Sequence, residues 1–244
     1  MNERVMYDTM TWPEAKERIP KARAIIVSLG SVEEHGYHLP LCTDNILGST
    51  LAAGIAEKTD SLVLPVMPFG QVWSTRDFPG SISLSEETIV RVLVDVALSL
   101  RRHGARNVIF HSGHMGNQPA MKAAARRLYD QYGMKNVWYF CYTDYVKLAE
   151  GIMEAPLWRG TGMHAAEIET SMMLAAAPEL CHMERAVPDY PEGSDAMDYR
   201  CMPWTEFTET GALGDPTVAT AEKGRVYTEK LIAHMADIIN RLLG

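Results

Sequence analysis

Positive charge is in deficit along this chain: 23 lysines and arginines stand against 31 aspartates and glutamates, a net charge of -8. Phosphate binding wants a basic face, so nucleic acid is not the expected partner. Cysteine is scarce, four in 244 residues, and none of Cys42, Cys141, Cys181 and Cys201 forms a C-x-x-C pair. That excludes a zinc ribbon and a thioredoxin-type motif. A chain this long does not need disulfides to hold a core. No apolar run approaches the ~18 residues that a membrane span requires. The opening MNERVMYDTM has no apolar core of the kind a secretory signal carries. Repeats, low-complexity tracts and linkers are missing too. The expectation is one domain over residues 1–244, placed in a reducing cytoplasm, with no membrane partner.

What is present is ordinary globular material, 47% hydrophobic and 22% charged. Thr11-Trp12-Pro13-Glu14 predicts a helix start with a capping box and a proline in the first turn. Four short apolar runs predict buried strands: 23–30, 62–67, 107–112 and 136–143. Between them lie helical patterns from Asn45 to about Thr59, from Ser85 to about Gly104, and from 117–119 to about Gly133. A further helix is expected from near His164 to Pro178, then an irregular stretch over 184–216, then a last helix over about 217–243. Strands alternating with helices predict βαβ units and a parallel sheet covered on both faces. The loops at 30–44 and 112–118 both follow the C-terminal end of a strand, the edge where open α/β sheets bind ligands.

Those two loops hold the chemistry. "GSVEEHGYHLPLCTDN" (30–45) carries Glu33, Glu34, His35, His38 and Asp44. In an extended segment Glu33 and His35 point the same way. Asp44 follows after a loop long enough to fold back, and His114 lies in "HSGHMGN", where glycines let the backbone come close. Glu33, His35, Asp44 and His114 together form a ligand set for a borderline or hard divalent metal such as Zn, Mn or Fe(II), and a site without cysteine is not a structural zinc site. Any one of them alone is more simply a solvated acid or a bridging histidine. His38 is expected to buttress the loop. His103 and His234 are expected on helices, away from chemistry, and the fifteen methionines are core filling.

Residues 30–44 resemble the signature of the creatininase (creatinine amidohydrolase) family, G-S-x-E-Q-H-G-x-H-L-P-L-x-T-D. The resemblance continues, in the family's order, through "FPGSISLS" (78–85), "HSGHMGN" (111–117), "MHAAEIETSMML" (163–174) and "GALGDPTVATAEKG" (211–224). It implies a three-layer α/β/α fold with a mostly parallel central sheet, a homohexamer, and two divalent metal ions per chain that serve hydrolysis of a C–N amide bond. By matching position, Glu33 and His114 bind one metal, His35 the other, Asp44 bridges both, and His164 is the catalytic histidine.

Three departures bear on substrate. Creatininase has a metal-binding glutamate where this chain has Gly116, a glutamate where it has Met163, and N-G-H where it has Ser112-Gly113-His114. The expectation is therefore a family amidohydrolase of a small cyclic amide or formamide, other than creatininase. The alternatives are a peptidase-like maturation factor and a catalytically silent metal-binding assembly protein. Glu167, three residues after His164 on the expected helix, is the candidate to replace the ligand missing at Gly116. Glu169 matches the family's E-T-S and is the second choice. Trp73 and Trp158, in loops, are expected to line the substrate pocket.

Overall fold

The computed structural model describes residues 4–244. Its elements are α1 (Trp12–Arg18), β1 (Ile25–Leu29), α2 (Thr43–Thr59), β2 (Leu62–Val63), α3 (Glu86–Arg102), β3 (Val108–Ser112), α4 (Gln118–Tyr132), β4 (Val137–Phe140), α5 (Tyr145–Ala149), α6 (Glu167–Ala176) and α7 (Ala221–Leu243). The four strands form one parallel sheet in the order β2-β1-β3-β4.

Both faces of β1 and β3 are buried, so these strands are mainly apolar rather than alternating, with Ser28, His111 and Ser112 the polar members, while the edge strand β4 is only partly buried. Ile25, Val27 and Leu29 pack with Val108 and Phe110 against α3 and α4. Ile26 and Ile109 pack on the opposite side with α2, α6 and α7. Three layers follow, helices over sheet over helices, as expected. Among the described residues no helix is long and apolar enough to cross a membrane.

Several boundaries differ from expectation, each for a local reason. The strand expected over 62–67 regularises only Leu62–Val63. Pro65 lacks an N–H, and the chain pairs again only at Met67, which bridges to Leu29. The expected helix start at Asn45 falls at Thr43, whose N–H and hydroxyl both donate to the Pro40 carbonyl at 3.1 and 2.7 Å. That shift sets Asp44 in the first turn of α2, where a helix end favours negative charge. The segment 184–216 is irregular, with short 3-10 turns. Thr11 and Ser85 head their helices as the sequence indicates, with a capping box and with an Oγ accepting from Thr88 N.

Sheet order sets the site. β1 pairs on one side with β2 and on the other with β3, so the chain leaves its ends in opposite directions between β1 and β3. That crevice is the switch point at which α/β sheets bind ligands. Leu29 pairs with Ser112 across it. The loops after β1 and β3 therefore leave the sheet side by side.

Candidate metal centre

Glu33, His35 and Asp44 arrive on the loop after β1 and the first turn of α2, and His114 on the loop after β3. All are buried or nearly so. His114 Nδ1 lies 2.8 Å from Glu33 Oε1 and 3.1 Å from Asp44 Oδ2. Its other nitrogen, Nε2, is 2.7 Å from the Gln71 carbonyl and donates to it. A backbone acceptor behind one ring nitrogen fixes the tautomer and aims the other nitrogen forward. Thr75 Oγ1 donates to Glu33 Oε2 at 2.6 Å, and Ser31 Oγ to Asp44 Oδ2 at 2.6 Å. Each carboxylate is thus tied down on one side and open on the other.

His35 Nε2 stands 3.3 Å from Asp44 Oδ1 and 3.8 Å from Glu169 Oε2. Neither contact has hydrogen-bond geometry, so this wholly buried nitrogen has no hydrogen-bond partner. An unpaired buried nitrogen costs free energy unless something occupies its lone pair. Three groups of side chains bring ligand atoms within 4.8 Å of one another: Glu33, Asp44 and His114; His35, Asp44 and Glu169; and Glu33, His35 and His164. Asp44 is common to the first two. The donor set is oxygen and imidazole with no thiolate, which suits borderline or hard divalent ions. The residues fit such ions on their own chemistry.

The electrostatics point the same way. Burial alone would lower the pKa of His35, but Asp44, with Glu169 and Glu33, more than offsets it and carries the pKa up to about 10. His114 is likewise pulled well up against its burial by Glu33 and Asp44. Burial would raise Asp44; His35 and His114 instead hold it well below the usual carboxylate range. Glu169 is pushed up by burial. Without a cation the site keeps protons on its histidines to balance its carboxylates. No lysine or arginine is among the residues that line this cavity.

The expectation for Glu167 is corrected by this geometry. Its Oε1 accepts from Lys223 Nζ at 2.5 Å, and its Oε2 accepts from the main-chain N–H groups of Glu154 and Ala155 at 2.9 and 2.7 Å. It belongs to none of the three groups. The cause is the helix start. Ala165 is left-handed (φ 48°) and Ala166 extended, so α6 begins at Glu167 and not at His164. Three-residue spacing from His164 is then not helical spacing. Glu169 instead turns back toward His164, its Oε2 accepting from Ala165 N at 2.8 Å. The sequence signal for it was the E-T-S match.

The tryptophan expectations also change. Trp158 is buried, donates through Nε1 to the Pro191 carbonyl at 3.0 Å and stacks on Phe207. Trp73 carries Arg76 over its ring at 4.4 Å and faces a neighbouring groove. Neither lines the central cavity. Trp204 does, meeting the His164 ring edge-on with centroids 4.9 Å apart. Nothing in the irregular stretch 184–216 singled it out. The cavity is about 360 Å³, with Val72, Met115, Met163, Met197 and Leu213 as apolar walls. His38 buttresses, as expected: its Nε2 pairs with Thr170 Oγ1 at 2.8 Å.

A parallel α/β sheet with buried carboxylates and imidazoles at its switch point defines an α/β protein with side chains that could hold a divalent metal. The family profile described as Creatininase: Creatinine amidohydrolase matches residues 8–239, and the chain belongs to that family. It is similar to creatinine amidohydrolase of Pseudomonas putida, 27% identical over 98% of this chain and 97% of that protein. It is 27% identical to 3-dehydro-scyllo-inosose hydrolase of Thermotoga maritima, over 98% of this chain and 84% of that one. A mycofactocin precursor peptide peptidase of Mycolicibacterium smegmatis is 29% identical over 89% and 84%. A crystal structure of creatininase superposes with a TM-score of 0.85 at 26% identity, covering 98% of both chains. A manganese form of creatininase superposes at 0.82 with 26% identity and the same coverage.

Proposed function

We propose that this chain is a metal-dependent hydrolase of a C–N amide bond in a small molecule other than creatinine. The observation that carries the reading is Asp44, a buried carboxylate shared by two neighbouring ligand groups. Glu33 and His114 would hold one cation, His35 and Glu169 the other, with Asp44 between. Glu169, the second candidate for the carboxylate missing at Gly116, joins the His35–Asp44 group. Restoring a side chain at 116 is not open to this backbone: a Cβ there would lie 2.3 Å from His114 Nε2 and 2.6 Å from the Gln71 carbonyl oxygen.

Two divalent cations, Zn, Mn or Fe(II), would supply hydroxide near neutral pH and polarise the amide carbonyl. The chain's own residues do the rest. The apolar walls exclude bulk water and receive the substrate's non-reacting part. With no lysine or arginine in the lining, the cavity suits a neutral amide over a carboxylate-bearing one. His164, on the cavity wall, supplies the proton to the departing nitrogen. Met163 occupies the place of a creatininase glutamate, which supports a substrate other than creatinine. The family resemblance also carries a cytoplasmic homohexamer as part of the proposal.

The test is a panel of cyclic amides, formamides and a short peptide amide, assayed with Zn, Mn and Fe(II) after metal content is measured. Turnover of a cyclic amide or formamide with bound metal supports the reading. Peptide cleavage alone would favour the peptidase-like alternative, and bound metal with no turnover the silent one.

A further inference from the structure

In the signature that residues 30–44 resemble, glutamine stands between the glutamate and the histidine; here it is Glu34. This carboxylate is buried and held on every side. Its Oε1 lies 3.0 Å from His164 Nε2, and the Glu34 main-chain oxygen lies 3.0 Å from the same nitrogen. Oε2 accepts from Gly36 N at 2.9 Å, and the Glu34 N–H donates to Ser81 Oγ at 3.1 Å. Gly211, at φ +77°, lies flat against the carboxylate: a Cβ there would stand 2.0 Å from Oε2. The side chain therefore has one place to be.

Both groups facing Nε2 are acceptors, so Nε2 carries hydrogen whatever the ring's charge. The lone pair of the neutral ring is then on Nδ1, which among the described residues has no hydrogen-bond partner. The ring plane is set by His35, 4.3 Å away between centroids, and by the edge of Trp204.

We propose that Glu34 is a positioning residue: it turns Nε2–H of His164 into the protein, so that Nδ1 is the nitrogen that delivers the proton. The inference rests on the hydrolase reading above. As the C–N bond breaks, the departing nitrogen keeps the bonding pair and takes a proton from Nδ1 of the doubly protonated ring. The ring, still protonated at Nε2, recovers its second proton from the water that has added to the carbonyl. The same placement removes Nε2 from metal binding, leaving the oxygen-rich groups around Asp44 to hold the ions.

The test reads the ring directly, without turnover. Protein labelled with ¹⁵N-histidine is loaded with zinc, and in parallel with ¹¹³Cd, and the His164 nitrogens are assigned against His164→Ala. The expected pattern for the neutral ring is hydrogen on Nε2, a free lone pair on Nδ1, and no cadmium coupling to either. Glu34→Ala leaves the main-chain oxygen of residue 34 as the one acceptor at Nε2, so it should weaken the preference and raise the share of Nδ1–H tautomer at unchanged metal content. Glu34→Gln, which keeps an acceptor oxygen, should restore the single tautomer. Hydrogen on Nδ1, metal on either nitrogen, or an unaltered pattern in Glu34→Ala overturns the proposal. On any amide of the panel that the wild type hydrolyses, Glu34→Ala should lower kcat by about 10-fold with KM little changed, most for basic leaving amines. An equal loss for anilide and alkylamide leaving groups would assign Glu34 a structural role only. Because the tautomer needs no substrate, its failure is distinct from failure to find an amide that is hydrolysed.

Discussion

Two buried carboxylates two residues apart on α6 live in opposite electrostatic settings. Glu167 has its cation built in: Lys223 Nζ reaches it from α7, and two backbone N–H groups fill its second oxygen. Glu169 faces the crevice between β1 and β3, where Glu33 and Asp44 are also buried and the countercharge comes from imidazoles alone. The first is a latch that pins residues 154–155 and α7 to the start of α6. The second is part of a site whose charge the chain does not balance with a fixed cation. A buried acid with a lysine of its own is architecture; buried acids gathered round histidines, with no lysine or arginine in the lining, are a ligand set that could hold an ion from outside.

The sharpest way to break this contrast is at the shared acid. Asp44→Asn should lose both metals and nearly all amidase activity, as read by elemental analysis and rate; two metals retained at wild-type affinity would remove the bridging role. Next in size, His164→Ala should keep its metals and lose ~10²–10⁴-fold in turnover, the usual cost of a missing general acid. Loss of metal instead would place His164 among the ligands.

Smaller effects test the architectural side. Glu167→Gln should leave metal content unchanged and cost about 1–3 kcal/mol in denaturant unfolding, because Lys223 is partly exposed and keeps Glu154 at 3.2 Å. His111 sharpens the comparison further. It is buried away from the carboxylates, and burial alone pushes its pKa down to about 4. A histidine held neutral in the fold stabilises it above the unfolded value of about 6.5, and that stability is lost as pH falls from there toward 4. In metal-free protein the wild type should therefore lose up to ~3 kcal/mol more than His111→Leu between pH 6.5 and 4. Parallel unfolding curves would show that His111 does not carry the acid sensitivity.

The fold was largely legible in the sequence, because apolar runs such as "RAIIVSLG" and the caps at Thr11 and Ser85 are local signals. Strand order was not written locally, yet the position of two polar loops after strand ends was enough to bring Glu33, His35, Asp44 and His114 together. The choice between Glu167 and Glu169 failed for a backbone reason. Helical spacing from His164 does not apply, because Ala165 in the left-handed region delays the helix by three residues. No spacing rule foresees such a turn at an alanine. Trp204 was missed because an irregular loop has no periodicity to reveal which aromatic turns inward. Trp158 was misplaced because its partner, Phe207, is remote in sequence.

The measurement closest to the central claim is metal stoichiometry across the two glutamates, by elemental analysis of purified wild type, Glu169→Gln and Glu167→Gln loaded with the same divalent metal. Wild type and Glu167→Gln should each hold two ions per chain, and Glu169→Gln should fall toward one with the Glu33–Asp44–His114 site still filled. Two tightly held ions in Glu169→Gln, or a loss confined to Glu167→Gln, would contradict it.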